Sequence, residues 1–188
     1  MLAGRIVARS DRLELRRLDG DDAAFVQSLY ANAEVTRTLL RIQGPISIEE
    51  AREFCRTPAE AGGEYRLGGV LKRDGNLIAL GSVRGPGERS GVATIGYSVL
   101  PAFWGQGLGT EMAAMLVEFA AGTLGALEVR ATTLEDNPAS ARVLVKLAFV
   151  VLEVGASEVD SRGDERRVTR WCLRGRSSDA ERRCPTSP

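Results

Sequence analysis

The chain has 188 residues, 44% of them hydrophobic, enough for one well-buried domain, and its 25 Lys plus Arg balance 25 Asp plus Glu. That neutrality leaves no basic field to gather nucleic acid or an anionic membrane surface, and it favours a small neutral or zwitterionic partner. The absence of histidine excludes Ser-His and Cys-His catalysis and the common zinc sites, so no metal is expected.

The first 17 residues never form the unbroken apolar segment of a signal peptide, and no run approaches a membrane span; a cytoplasmic location is expected. Arg12–Leu18 (RLELRRL) alternates as a half-buried strand. Asp21 and Asp22 then open an amphipathic helix through Phe25, Val26, Leu29 and Tyr30, with acids at its positive end. Ser47–Glu50 (SIEE) fits a capping box for a short helix through Phe54. A loop follows at Pro58–Gly63. Tyr65–Lys72 and Leu77–Arg84 flank Arg73–Asn76 (RDGN), whose Asp-Gly pair predicts a β-hairpin. Val92–Leu100 is a third strand of that sheet.

A helix runs from Leu108 to about Ala121, with Leu108, Met112, Met115, Leu116 and Phe119 on one face. Leu127–Thr133 is a strand and Pro138–Leu147 a helix, with Asn137 as N-cap, Pro138 at its first position and Leu144, Val145 and Ala148 facing the core. Val150–Val154 and Val168–Leu173 complete the strands. Cys55 and Cys172 read as reduced, buried thiols, and Cys184 stands apart; the three show no Cys-x-x-Cys spacing. From Arg174 the chain has almost no apolar content, which predicts one domain over 1–175 and a flexible tail over 176–188. The element pattern is α+β (mixed α/β), with helices on both faces of one sheet.

Two stretches carry chemistry. In WGQGLGT (104–110), Gly105, Gly107 and Gly109 precede a helix, where bare backbone N–H groups can converge on an anion such as phosphate. A tight strand-to-helix turn explains the glycines equally well. The P-loop is excluded because Gly109 is followed by Thr110-Glu111, and the dinucleotide fingerprint because Thr110 stands where its third glycine belongs. The second stretch is Asn137–Phe149, NPASARVLVKLAF.

Together with RLELRRL, IGYSVLPAFWGQGLGTEM and VTRWCL, in that order and separation, these stretches resemble the GNAT N-acetyltransferase superfamily over most of residues 10–175. Phe103-Trp104-Gly105 resembles its RimJ/RimL-like branch in particular. The resemblance implies the GNAT fold: a mostly antiparallel, twisted sheet, splayed between the strand ending near Leu100 and the strand Leu127–Thr133. There acetyl-CoA would lay its pyrophosphate on the amides of Gln106, Gly107, Leu108, Gly109 and Thr110, and its pantetheine along Ser98, Val99 and Leu100.

Asn137 matches the family position that contacts the cofactor, and Ser140 one that approaches the thioester sulfur. Many members use a tyrosine later in that helix as the acid, but Leu144 stands there, so Ser140 is the candidate to protonate the leaving thiolate. A structural alternative for Ser140 is local satisfaction of the helix start. Members with a glutamate in the central strand have no counterpart in VATIGYSV. Glu64 is the candidate base, set against a solvated surface role.

The implied activity is direct transfer of acetyl from acetyl-CoA to a primary amine of a protein N-terminus, an amino acid or an antibiotic, by a monomer or homodimer. The acceptor cleft is expected from Ala31–Gly44 and Gly155–Glu165, with Arg37 and Arg41 available to an acceptor carboxylate. The missing strand glutamate and helix tyrosine leave a second reading, a catalytically silent acyl-CoA-binding or interaction domain of the same fold.

Overall fold

The computed structural model describes residues 6–42, 44–56, 63–86 and 90–174. The loop expected at Pro58–Gly63 falls almost wholly outside them, and the tail 176–188 wholly so. In chain order the elements are β1 (Ile6–Arg9), β2 (Leu13–Arg17), α1 (Ala23–Ala31), α2 (Ala33–Thr36), α3 (Ile48–Arg56), β3 (Glu64–Leu71), β4 (Leu77–Arg84) and β5 (Val92–Val99). They continue with α4 (Leu108–Glu118), which runs on as a wider π turn over Phe119–Thr123, then β6 (Glu128–Leu134), α5 (Pro138–Lys146), β7 (Val150–Val159) and β8 (Glu165–Arg174). The strands make one sheet in the order β1-β2-β3-β4-β5-β6-β8-β7, antiparallel throughout except for β5 with β6. Among the described residues no helix is long and apolar enough to cross a membrane.

Local chemistry places most of these elements. The Ser47–Glu50 capping box forms, Glu50 N–H donating to Ser47 Oγ at 3.1 Å and Ser47 N–H to Glu50 Oε2 at 2.7 Å. The β3–β4 turn closes with Gly75 at φ +73°. Arg16 on β2 holds Asp22 bidentately at 2.7 Å, fixing the start of α1 to the sheet.

Helix α4 buries Leu108, Met112, Met115 and Leu116 against one sheet face. It lies so close that a Cβ on Gly81 would stand 2.6 Å from Met112 Cε and 2.8 Å from Leu116 Cδ2. On the opposite face, α1 and α3 pack Val26, Leu29, Ala51 and Cys55 with Leu80. Pleat alternation carries Tyr97 and Val99, opposite Gly81 and Ala79, to the α4 face, and Ser82, Arg84, Arg66 and Glu64 to the other.

Helix α5 corrects the expected core face. Leu144 is fully buried, but Val145 is 61% exposed. Ala148 does not face the core either; it takes the left-handed φ of 62° that ends the helix. Phe149 N–H donates to Leu144 O at 3.0 Å and Ala148 N–H to Val145 O at 3.0 Å, with Phe149 and Leu144 both buried. This is a Schellman cap with alanine where glycine is usual. The left-handed conformation costs an L residue about 1–2 kcal/mol, so Ala148→Gly will raise stability by up to about 1 kcal/mol after the extra chain entropy of glycine. Urea denaturation at unchanged m-value checks this.

The C-terminal strands are longer than apolar patterning predicts. β7 and β8 pair from Val150–Cys172 to Val159–Glu165, with register shifts between Val151 and Glu153 and between Val154 and Ala156. Gly155 lies in the second shift with φ +72°. The short edge strand β1 and the one-turn helix α2 lie outside the sequence expectation altogether.

Candidate active site

The parallel pairing of β5 with β6 is confined to Val92–Glu128, Ala93–Val129 and Thr94–Arg130. Beyond Thr94 the two strands separate. Leu100 N–H donates to Ile78 O on the β4 side at 3.0 Å, so alternation turns the peptide groups of Ser98 and Leu100 toward β4 and those of Tyr97 and Val99 into the gap. Of the three residues expected to pair with an extended ligand, Val99 therefore presents backbone to the opening, joined by Tyr97. Trp104 closes one end, its indole N–H donating to Val99 O at 2.7 Å.

The glycine stretch forms a turn that needs glycine and also leaves donors bare. Gly105 and Gly107 have φ of +73° and +78°, a region L side chains enter only under strain. Gly107 is the N-cap of α4 and offers no side-chain cap. Thr110 N–H donates to Gly107 O at 3.1 Å and is thereby occupied, which removes it from the expected amide set. The N–H groups of Gln106, Gly107, Leu108 and Gly109 donate to no acceptor among the described residues, and they sit at the positive end of a helix.

The loop is braced from a distance. Arg12 donates through Nη1 to Gln106 O at 2.9 Å and through Nε to Glu111 Oε2 at 2.7 Å. Glu111 Oε1 also receives the Ser10 hydroxyl at 2.7 Å and the Arg12 N–H at 2.8 Å. Burial alone would raise the Glu111 carboxyl pKa, but the hydrogen bonds from Ser10 and Arg12 prevail and hold it below the ordinary carboxylate value. The β1–β2 turn thus clamps the first turn of α4, and no sequence pattern links residues 99 positions apart.

Asn137 caps α5, its Oδ1 accepting from Ser140 N–H at 3.1 Å, while its amide NH₂ keeps two donors. Asn137→Ala is expected to cost about 1 kcal/mol of stability through the lost cap, and in addition to weaken CoA binding. Chemical denaturation and CoA titration of the same variant separate the two effects.

Ser140 Oγ lies 3.0 Å from the Tyr97 hydroxyl, bringing a strand and a helix together at the gap. Burial pushes the Tyr97 pKa up to about 12, against a smaller lowering by the Ser140 hydrogen bond. Tyr97 is missing from the sequence-derived site because in IGYSV it reads as an ordinary inward position of a strand. Glu64 does not join this pair. It lies on the other sheet face, 3.7 Å from Arg66, with its side chain one-third exposed.

Both faces open into one cavity of about 940 Å³ that passes through the gap, lined by Tyr97, Gly107, Asn137 and Ser140 on one side and by Arg37, Arg41, Glu64 and Arg66 on the other. The described residues contain no group of three metal-ligating side chains.

Residues 12–150 match the family model described as the acetyltransferase (GNAT) domain. The chain belongs to the GNAT acetyltransferases. An uncharacterized N-acetyltransferase of Bacillus subtilis strain 168, YoaA, is 31% identical over 146 residues, covering 76% of this chain and 82% of that one. The structure of spermidine N-acetyltransferase from Vibrio cholerae, in complex with CoA and spermine, superposes with a TM-score of 0.77 at 18% identity, covering 88% of this chain and 96% of that one. A GNAT acetyltransferase from Bacillus anthracis gives 0.76 at 16% identity, with 90% and 98% covered. These two likenesses establish the GNAT fold, as expected from the sequence. The segment Ala31–Gly44 does wall this GNAT cavity, through Val35 and Arg37–Ile42, whereas Gly155–Glu165 contributes Glu158. The two segments meet where Ser161 N–H donates to Leu40 O at 3.3 Å.

Proposed function

We propose that this GNAT protein transfers an acetyl group from acetyl-CoA to a primary amine, by direct attack in a ternary complex and without a metal. The observation that carries the reading is the set of unclaimed N–H groups at Gln106–Gly109, opening onto the gap between β5 and β6. The amides fit a diphosphate, and the Tyr97 peptide groups with the Val99 N–H fit the amides of a pantetheine arm. Phe103-Trp104-Gly105, with the indole of Trp104 sealing the end of β5, supports the RimJ/RimL-like branch.

Bound acetyl-CoA supplies an acyl carbon activated by a thiolate leaving group. The cavity admits the acceptor from the face of α1 and α3, and Glu64 on that face takes the proton of the amine, directly or through one water. As the carbon–nitrogen bond forms and the carbon–sulfur bond breaks, Ser140 Oγ, backed by Tyr97, donates a hydrogen bond to the sulfur. An ordinary protein thiol ionises near about 8.5, while Tyr97 is pushed up to about 12. Complete proton transfer from Tyr97 to sulfur is therefore uphill by roughly 5 kcal/mol, so the pair works by hydrogen bonding and leaves the proton in place. The cavity also orients the amine, which supplies much of the rate when the leaving group is already good.

Release of free thiol from acetyl-CoA with a panel of primary amines tests the proposal. Amine-dependent release is expected; CoA binding without release from any amine would leave a silent acyl-CoA-binding domain in its place.

A further inference from the structure

The charges lining the cavity are unevenly paired. Its three carboxylates each have an arginine beside them: Glu64 with Arg66 at 3.7 Å, Glu158 with Arg170 at 3.3 Å, and Asp136 with Arg166 at 3.3 Å. Glu64 also stands across the β3–β4 ladder from Arg84. Of the lining cations, Arg37, Arg41, Arg84, Arg142 and Lys146 have no carboxylate within ion-pair distance among the described residues.

They divide by position, with Arg84 on β4 directly across from Glu64. Arg142 and Lys146 are on α5, beside the glycine loop, where a phosphorylated cosubstrate already needs positive charge. Arg37 and Arg41 are at the other end, on the segment after α2 that meets the β7–β8 turn. The chain as a whole is neutral, so this local excess is not a consequence of overall composition. A polycation entering here finds every lining carboxylate already beside an arginine, while an anion finds the Arg37 and Arg41 guanidiniums, which pair with no carboxylate among the described residues. A cleft of one sign concentrates ligands of the other, and guanidinium matches carboxylate geometry.

We propose that the acceptor amine carries a carboxylate, bound by Arg37 and Arg41 while the amine points past Glu64 into the gap. The assignment rests on the acetyl-transfer reading and names its substrate class: an aminocarboxylate and not a polyamine.

The test compares aminocarboxylates of increasing length, glycine to 6-aminohexanoate, with their primary amides and with spermidine, by thiol release. A parallel arm uses short peptides with aspartate or asparagine at the second position, separating a free aminocarboxylate from a chain terminus. At least one carboxylate should exceed its neutral counterpart by about tenfold or more in kcat/KM, the scale of a charge-assisted hydrogen bond. That advantage should shrink at high salt and vanish in Arg37→Ala/Arg41→Ala, with the KM for acetyl-CoA unchanged. Equal or better use of amides or spermidine overturns the proposal, as does an advantage that survives the double substitution.

If no amine releases thiol, acetyl transfer fails as the reading, yet the anion site is still decided. Calorimetry of the same pairs, on protein with and without CoA, must then show tighter binding of the carboxylate in the wild type only. Equal binding of carboxylate and amide overturns it.

Discussion

Gly107→Val will weaken CoA binding by about two orders of magnitude, because losing two of the four amide contacts to an anion at roughly 1.5 kcal/mol each amounts to about 3 kcal/mol. The loss follows from backbone geometry. Gly107 sits at φ +78°, and a β-branched residue must leave that region, rotating the amides of the turn away from a common point. Folding will suffer less: a Cβ at this position meets only Arg12 Nη2 at 3.5 Å, so its cost is the strain of the turn, about 1–2 kcal/mol.

Gly109→Ala provides the contrast. Gly109 is absent from the positive-φ positions, and its added methyl makes ordinary contact with Val143 at 3.9 Å, so alanine there should leave stability intact or raise it slightly. Titration of both folded variants with CoA decides what the glycines do. Weaker binding in Gly109→Ala isolates the close approach of the diphosphate from the turn. Wild-type affinity in both variants would make the glycines a turn and nothing more.

Ser140→Ala and Tyr97→Phe will each lower turnover by about 10- to 10²-fold, the scale of one hydrogen bond to a group that gains negative charge, since the proton itself stays in place. Acetyl-CoA affinity should change little in either, since the hydrogen bond matters most as negative charge grows on sulfur. The two hydroxyls lie 3.0 Å apart and act as a unit, so the double variant should lose little more than either single one. Full additivity would mean separate roles, and unchanged turnover in Ser140→Ala would return Ser140 to a purely local part in the helix start.

The pH dependence follows with a definite sign. The folded pKa of Tyr97, about 12, lies above its ordinary 10.0. Its contribution to stability is fully present below pH about 10 and is lost as pH rises through about 12. Turnover should accordingly show no fall from Tyr97 ionisation below about pH 10. Tyr97→Phe should soften alkaline unfolding without abolishing it, because burial also raises the pKa of Tyr30.

What the sequence made legible is what depends on neighbours along the chain. The Asp74-Gly75 turn, the Ser47–Glu50 box, the buried stripe of α4 and the Asn137 cap are local arrangements, and all form. The outer halves of β7 and β8 are held by polar pairs, such as Ser157 Oγ donating to Glu165 at 2.5 Å, which apolar alternation does not register. β1 has only four residues, none fully buried. Arg12 and Glu111 meet only after the sheet brings the β1–β2 turn over α4, so their role as the brace of the loop has no sequence signature. Tyr97 was hidden differently: the family pattern directs attention to a tyrosine on α5, while here a strand hydroxyl meets Ser140 at 3.0 Å. Ser140 was singled out through the family resemblance, and the structure shows its N–H on the Asn137 cap three residues earlier.

The two register shifts in β7 bear on how the molecule behaves in a crowded solution. β7 ends the sheet and carries exposed Val150, Val151, Val154 and Val159, a composition that elsewhere templates strand upon strand. Its regular pairing is broken after Val151 and again after Val154, so its longest unbroken stretch is the four residues from Ala156 to Val159. An incoming strand cannot stay in step with such an edge, because each shift advances one chain relative to the other and twists the ladder. The protein can therefore keep an apolar rim there without offering a backbone on which fibrillar growth could propagate.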